Sequence, residues 1–331
     1  MPRFLTGAVD SIVSERSGLQ RILVGERRAY VLTQLTGPVA IGDEVVLNVT
    51  ATDLRLGTGG WDVVHWNLTR REWSEPGGGH VMKLRYTSLQ ADTGVCEEAS
   101  ADVALDGLPV VVSFLHSQLA PIALAFERTA PGRRLGYVMT DTAALPMALS
   151  DLVAALLDRG LLHTTATIGQ AFGGRYEAVN LAGGLGAARA AGCDAVIVGP
   201  GPGVVGTGTT YGFSGLEVAS LIDLAGALGA RPIVALRYSS GDSRPRHRGM
   251  SHHATTALAL THEAAVIASA AGYDLSGLAD MHREAAVEIP EIDDELRDLN
   301  ATTMGRGPAE DRGFFEMAAA SGVVAAQMLD S

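Results

Sequence analysis

Cysteine is nearly absent from this 331-residue chain, with Cys96 and Cys193 its only two. Two thiols are too few for a thiolate metal site or a disulfide framework, and they fit free thiols in a reducing cytoplasm. Basic charge is short as well, with 25 Lys and Arg against 37 Asp and Glu and a formal net charge of −12. Gripping a phosphate backbone needs clustered cations over a broad face, so nucleic acid is not expected as a partner. The most apolar stretch, Leu108 to Phe126, is interrupted by Ser113, His116, Ser117, Gln118 and Pro121, so no membrane span is expected. Met1 to Asp10 hold no apolar core ending in small residues, so no secretory signal is expected either, and the chain reads as cytoplasmic.

What is present is a hydrophobic fraction of 47% with 19% charged residues, an ordinary globular balance with length enough for two domains. Short β-branched runs (Ala29 to Leu35, Glu44 to Ala51, Trp61 to Leu68, His80 to Thr87) sit between Gly, Asp and Pro signals, which predicts a small all-β module over residues 1–100. Gly42-Asp43 between Val39 and Val45 suits a tight hairpin. In the last run, alternation puts Val81, Lys83 and Arg85 on one face and Met82, Leu84 and Tyr86 on the other. The acid-rich Gly94 to Gly107 region reads as a linker.

From Leu108 the grammar changes. Apolar runs at Val110–Leu115, Leu135–Met139, His163–Ile168, Ala195–Val198 and Ile233–Leu236 alternate with Ala- and Leu-rich helical stretches such as Pro146–Arg159 and Gly215–Gly229. That pattern predicts a parallel sheet over residues 108–288. An acidic segment and a small-residue helix, Phe314 to Met328, then pack on a domain or a partner subunit over 289–331. The expected fold class is α/β: a small N-terminal β-barrel-like domain, then a Rossmann-like, mainly parallel sheet domain with a C-terminal helix.

In such sheets ligands bind beyond the carboxyl ends of the strands. The loops there carry His116-Ser117-Gln118, Thr140-Asp141-Thr142, a glycine-rich loop from Gly199 to Thr210, and Asp242 to His253, which holds three of the nine histidines and three arginines. The glycine loop, with Gly201, Gly203, Gly206, Thr207, Gly208 and Thr209, either cradles an anion with its backbone N–H groups or only turns a corner. It has neither P-loop nor dinucleotide-binding spacing. Arg244, Arg246 and Arg248 suit a clamp on a phosphate or carboxylate, unless they form a solvated surface loop. His252 and His253 are adjacent, and neighbouring side chains diverge by about 100° on a helix, so joint metal ligation by them and His247 ranks lower. His116, His252 and His253 are candidate proton carriers, and Asp141 a site polar group or a helix N-cap. No Gly-x-Ser-x-Gly elbow frames Ser117, so a serine triad is not favoured.

Five strings, Gly79-His-Val-Met-Lys-Leu-Arg-Tyr-Thr87, Leu115-His-Ser-Gln-Leu-Ala-Pro121, Val138-Met-Thr-Asp-Thr-Ala-Ala-Leu-Pro146, Gly201-Pro-Gly-Val-Val-Gly-Thr-Gly-Thr209 and Arg246-His-Arg-Gly-Met-Ser-His-His253, make the chain resemble a bacterial family, domain of unknown function 3866. The resemblance spans nearly the whole chain. It implies a soluble bacterial protein and brings no activity, cofactor or site residue with it.

Function is therefore read from the residues. The leading expectation is an enzyme or ligand-binding protein for a small phosphorylated or carboxylated metabolite, possessing no cofactor that the sequence names and forming a homodimer. Two rivals stand beside it: a non-catalytic metabolite sensor or assembly module, and a metal-dependent hydrolase in which Asp141 and Asp242 join the histidines.

Overall fold

The structure, a computed structural model, describes residues 1–56, 59–75, 77–79, 81–100, 103–276, 278 and 280–330. His80 and parts of both glycine clusters of the β module (Gly57, Thr58, Pro76) lie outside the described residues. The chain divides into two compact units, Met1–Gly94 and Val95–Ser331.

In the first unit β1 (Phe4–Ala8), β2 (Ser11–Arg16), β3 (Leu19–Val24), β4 (Arg27–Leu32), β5 (Glu44–Asn48) and β6 (Trp61–Asn67) form one sheet, ordered β1-β5-β6-β4-β3-β2. Single-turn helices α1 (Thr33–Thr36) and α2 (Thr50–Asp53) connect its strands. Alternation along the strands sends Ile22, Val24, Ala29, Val31, Val45, Leu47 and Val64 into one core. Two local expectations fail here. Residues 37–40 form no strand, because the Gln20 amide takes both backbone groups of Val39 and β5 pairs instead with β1 and β6. The run from His80 stops at Lys83: β7 (Val81–Lys83) pairs with β8 (Ala91–Thr93), and Leu84 and Tyr86 take left-handed φ values of 52° and 59°. Left-handed backbone ends the two-residue alternation, so Lys83 and Arg85 share no strand face. Lys83, the chain's only lysine, is buried.

The second unit opens with α3 (Glu97–Ser100), inside the segment expected to be a linker. The five expected strands are β9 (Pro109–Ser113), β10 (Leu135–Thr140), β11 (Thr164–Thr167), β13 (Ala195–Pro200) and β14 (Arg231–Ala235). They join β12 (Tyr176–Glu177), β17 (Val266–Ala270) and β18 (Arg283–Val287) in an eight-stranded sheet, ordered β12-β11-β10-β13-β9-β14-β17-β18, in which all pairings are parallel. A separate two-residue clip pairs β15 (Tyr238–Ser239) with β16 (Gly249–Met250).

Strands β9, β10 and β13 are buried at every position, which is why they read as unbroken apolar runs and not as alternation. Two helical layers cover them. Helices α4 (Leu119–Thr129), α5 (Asp151–Asp158) and α10 (Arg312–Gln327) pack together, with α9 (Asp293–Asp298) against α4. Helices α6 (Leu181–Ala190), α7 (Glu217–Ala227) and α8 (His252–Leu258) form the other group. Ser150 caps α5 by accepting from the Val153 amide, and Gly160 and Gly229 end α5 and α7 with φ of 71° and 82°. Among the described residues no helix is long and apolar enough to cross a membrane.

Helix α10 lies so close to α4 that a Cβ on Gly322 would sit 2.2 Å from the Ile122 carbonyl oxygen. Helix propensity alone favours alanine over glycine by about 1 kcal/mol. Packing reverses the sign: Gly322→Ala should lower unfolding free energy by about 1–3 kcal/mol. Urea unfolding of the two proteins checks this, and an alanine variant of equal or higher stability would refute the close packing.

Candidate functional site

Because the strands are parallel, the loops after β9, β10, β11, β13 and β14 all leave the same carboxyl edge. From β9 the chain moves to β10 on one side, and from β14 to β17 on the other. The helix after β9 belongs to one layer and α8, after β14, to the other. Such a reversal opens a crevice in a doubly wound sheet. A cavity of about 200 Å³ lies there, between Val204–Thr207 on one wall and Arg237, Arg244, Arg246, His247 and His253 on the other, with Phe114 among its lining residues.

Local chemistry holds the second wall. The β15–β16 clip closes residues 240–248 into a loop, and the Ser251 amide donates to the Arg237 carbonyl at 2.9 Å. Ser251 then caps α8 through its hydroxyl, so His252 and His253 stand in the first turn. The buried Asp311 carboxylate accepts from the Ser239 hydroxyl at 2.6 Å, the Ser240 and Gly241 amides at 2.8 and 3.1 Å, and Arg306 at 3.0 Å. Asp242 accepts from the backbone and guanidinium of Arg244, which, together with Arg306 at 3.6 Å, holds its carboxyl well below the usual range.

Arg237 is different. It is 9% exposed, and among the described residues its guanidinium forms no ion pair and one hydrogen bond, to Nδ1 of His253 at 2.5 Å. Burial and the neighbouring Arg244 pull its pKa down to about 10, against the opposing pull of Asp242. Arg246 is exposed with no hydrogen bond or ion pair among the described residues, while Arg248 is exposed and lines no part of the cavity.

The three histidines come together despite the adjacency of two of them. The His252 and His253 ring centroids lie 4.3 Å apart at 67°, and His247 stands 5.0 and 4.9 Å from them. The expected divergence applies to Cβ directions, and rotation about the side-chain bonds closes it. One ring nitrogen from each lies within 4.8 Å of the others. His253 stacks flat on Phe213 with centroids 3.8 Å apart, and His247 Nδ1 meets the Ser251 hydroxyl at 2.7 Å. Nε2 of His252 and of His253 are buried without a partner among the described residues. Burial first, then Arg237, lowers His247 to about 4 and His253 to about 3; burial and Arg246 lower His252. The cluster is uncharged at neutral pH.

The remaining sequence candidates divide. Gly206 and Thr207 line the cavity. Gly203 turns the loop with φ 92°, Gly201 packs on the Ala144 carbonyl, and Thr209 bonds Thr207 at 2.8 Å, so with Gly208 they shape the loop from outside the cavity. His116 is on the same edge but spends both nitrogens on the Pro200 carbonyl at 3.2 Å and the Ser150 hydroxyl at 2.7 Å, and burial lowers it to about 4. Ser117 meets Thr303 instead of His116. Asp141 accepts from the Gln170 amide at 2.8 Å and caps no helix, since none starts at Ala143. Neither His116 nor Asp141 lines the cavity. Sequence reading missed Arg237, Asp311 and Phe213; only Arg237 left a signal there, an arginine ending an apolar run.

Fold and crevice together define an α/β protein with a doubly wound parallel sheet and a cationic, histidine-walled pocket at its reversal point. The chain belongs to the family described as Protein of unknown function (DUF3866), which it matches over residues 28–322. None of the curated proteins compared with it matches.

The depressed histidines fix a pH dependence. His247 and His253 bind a proton near pH 6.5 when unfolded but only near about 4 and about 3 when folded, so the unfolded chain holds more protons in between. Their stability contribution is thus complete above pH ~6.5 and shrinks as pH falls toward those values, by up to about 1.4 kcal/mol per pH unit for each. Urea midpoints in chelating buffer should drop from pH 7 to pH 5, less steeply in His253→Gln. A midpoint constant over that range would refute the buried neutral cluster.

Proposed function

We propose that the crevice binds a small anionic metabolite, phosphorylated or carboxylated, through Arg237, Arg246 and the Val204–Thr207 segment. The observation that carries this is Arg237: a guanidinium nearly sealed from solvent with no carboxylate partner among the described residues. An unpaired buried charge costs several kcal/mol, and a fold retains one where a counter-charge arrives with the ligand. A guanidinium fork matches phosphate or carboxylate oxygens two at a time. Arg244 is already committed to Asp242, which leaves Arg237 and Arg246 as the cavity arginines with no carboxylate partner among the described residues. A cavity of about 200 Å³ fits a small ligand or the anionic end of a larger one.

With His253 lining the cavity and His252 packed against it from outside the lining, phosphoryl or acyl transfer or hydrolysis is the chemistry this wall supports. Binding without turnover would make the same pocket a metabolite sensor. The two free thiols fit a cytoplasmic protein.

Calorimetry and thermal shift with inorganic phosphate and a set of phosphorylated and carboxylated metabolites test the reading. Arg237→Met should weaken the best anion roughly 10–100-fold, the equivalent of about 1.5–3 kcal/mol for a hydrogen bond to a charged group. The ligand-free variant should melt higher than the parent, because an unpaired buried charge is gone. A lower melting temperature with unchanged anion binding would assign Arg237 a structural role and sink the proposal.

A further inference from the structure

Two features at and behind the pocket wall are left unexplained by an anion alone. Nε2 of His252 and Nε2 of His253 are buried with no hydrogen-bond partner among the described residues, although each could donate or accept. Both rings crowd against His247, whose Nδ1 is taken by Ser251, so that one nitrogen of each ring falls within 4.8 Å of the others. From these placements we infer that His247, His252 and His253 form a binding site for one divalent first-row transition-metal ion, open toward the crevice.

Three imidazoles suit zinc, cobalt, nickel, copper or iron, whereas magnesium and calcium prefer oxygen donors. Nitrogens sharing a tetrahedral ion at about 2.0–2.1 Å lie about 3.4 Å apart, so the widest pair needs to close by up to ~1.4 Å. Side-chain rotation supplies that. Neutral rings are what a cation requires, since ligation competes with protonation.

Arg237 places a constraint on the state without metal. Its guanidinium donates to Nδ1 of His253, so the proton of that ring sits on Nε2. An ion bound at Nε2 sends this proton to Nδ1, where the ring then donates and no longer accepts. Arg237 loses that partner, and its donors turn to the crevice. No carboxylate belongs to the three-residue cluster, so the charge of the ion is uncancelled beside Arg237 until an anion enters as a further ligand. Metal and anion should therefore bind each other's complex more tightly than the free protein. The metal inference goes beyond the anion reading and stands without it; only this coupling rests on both.

The test uses the untagged chain stripped by chelator and titrated with Co²⁺, with and without sulfate, a tetrahedral dianion, followed by calorimetry and visible absorption. The expected result is one equivalent per chain, tighter in sulfate. His252→Gln should weaken Co²⁺ by more than the roughly tenfold that disturbing an outer-shell partner gives. Arg237→Met should keep the ion and lose the sulfate effect. Should His252→Gln fail to fold, the number of shifted imidazole N–H resonances in the cobalt-loaded parent decides, three being expected. Substoichiometric or histidine-independent binding overturns the site, even if sulfate binds alone, in which case the anion reading survives. Stoichiometric cobalt whose sulfate effect persists in Arg237→Met does the reverse.

Discussion

The central strands of the second unit are buried on both faces, and this governs everything polar in it. A residue in β9, β10 or β13 faces a helical layer whichever way it points. Chemistry is therefore confined to the ends of the strands. The parallel direction puts the ends that carry loops into helices on a single edge, and the reversal of chain direction between β9 and β14 decides where along that edge the layers part. The crevice follows from the order of the strands before any side chain is considered.

Electrostatics then selects what the crevice holds. The chain as a whole is acidic, yet Arg237, Arg244, Arg246 and Arg306 converge on this corner, and the two nearby carboxylates, Asp242 and Asp311, are committed to holding the loop. Carboxylates that fasten Arg244 and Arg306 leave Arg237 without a carboxylate contact among the described residues. Burial first, and then the same field, keeps the histidines neutral. A positive corner with neutral imidazoles favours an anion directly, and favours a cation more strongly when an anion accompanies it.

Legibility in the sequence tracked the range of the interactions involved. The strands β9, β10, β13 and β14 were readable because double burial imposes a largely apolar run, a property of the segment alone, while β11, Thr-Thr-Ala-Thr, was marked by its β-branched residues. β12, with two residues, and β18, a half-exposed edge reading Arg283-Glu-Ala-Ala-Val, carry no such signature. The Arg/His loop stood out by composition. His116 and Asp141 stood out by position, but their partners, Ser150 and Gln170, come from other loops, so their confinement to structural hydrogen bonds left no local mark. Val39 and Leu84 show the same limit: a buried glutamine amide and a left-handed turn overrode good β patterns.

What the sequence by itself determined is the α/β class, the carboxyl-edge location of the polar loops and the charge of the Arg/His segment, since burial periodicity and formal charge belong to each residue with its nearest neighbours. Tertiary structure alone decided which of those loops meet. It gave Arg244 to Asp242 and Arg237 only to a neutral histidine, turned two adjacent histidines toward a third, and placed His116 outside the cavity. Pairing, stacking and desolvation depend on distances between segments far apart in the chain, and those distances exist only after the sheet has set its strand order.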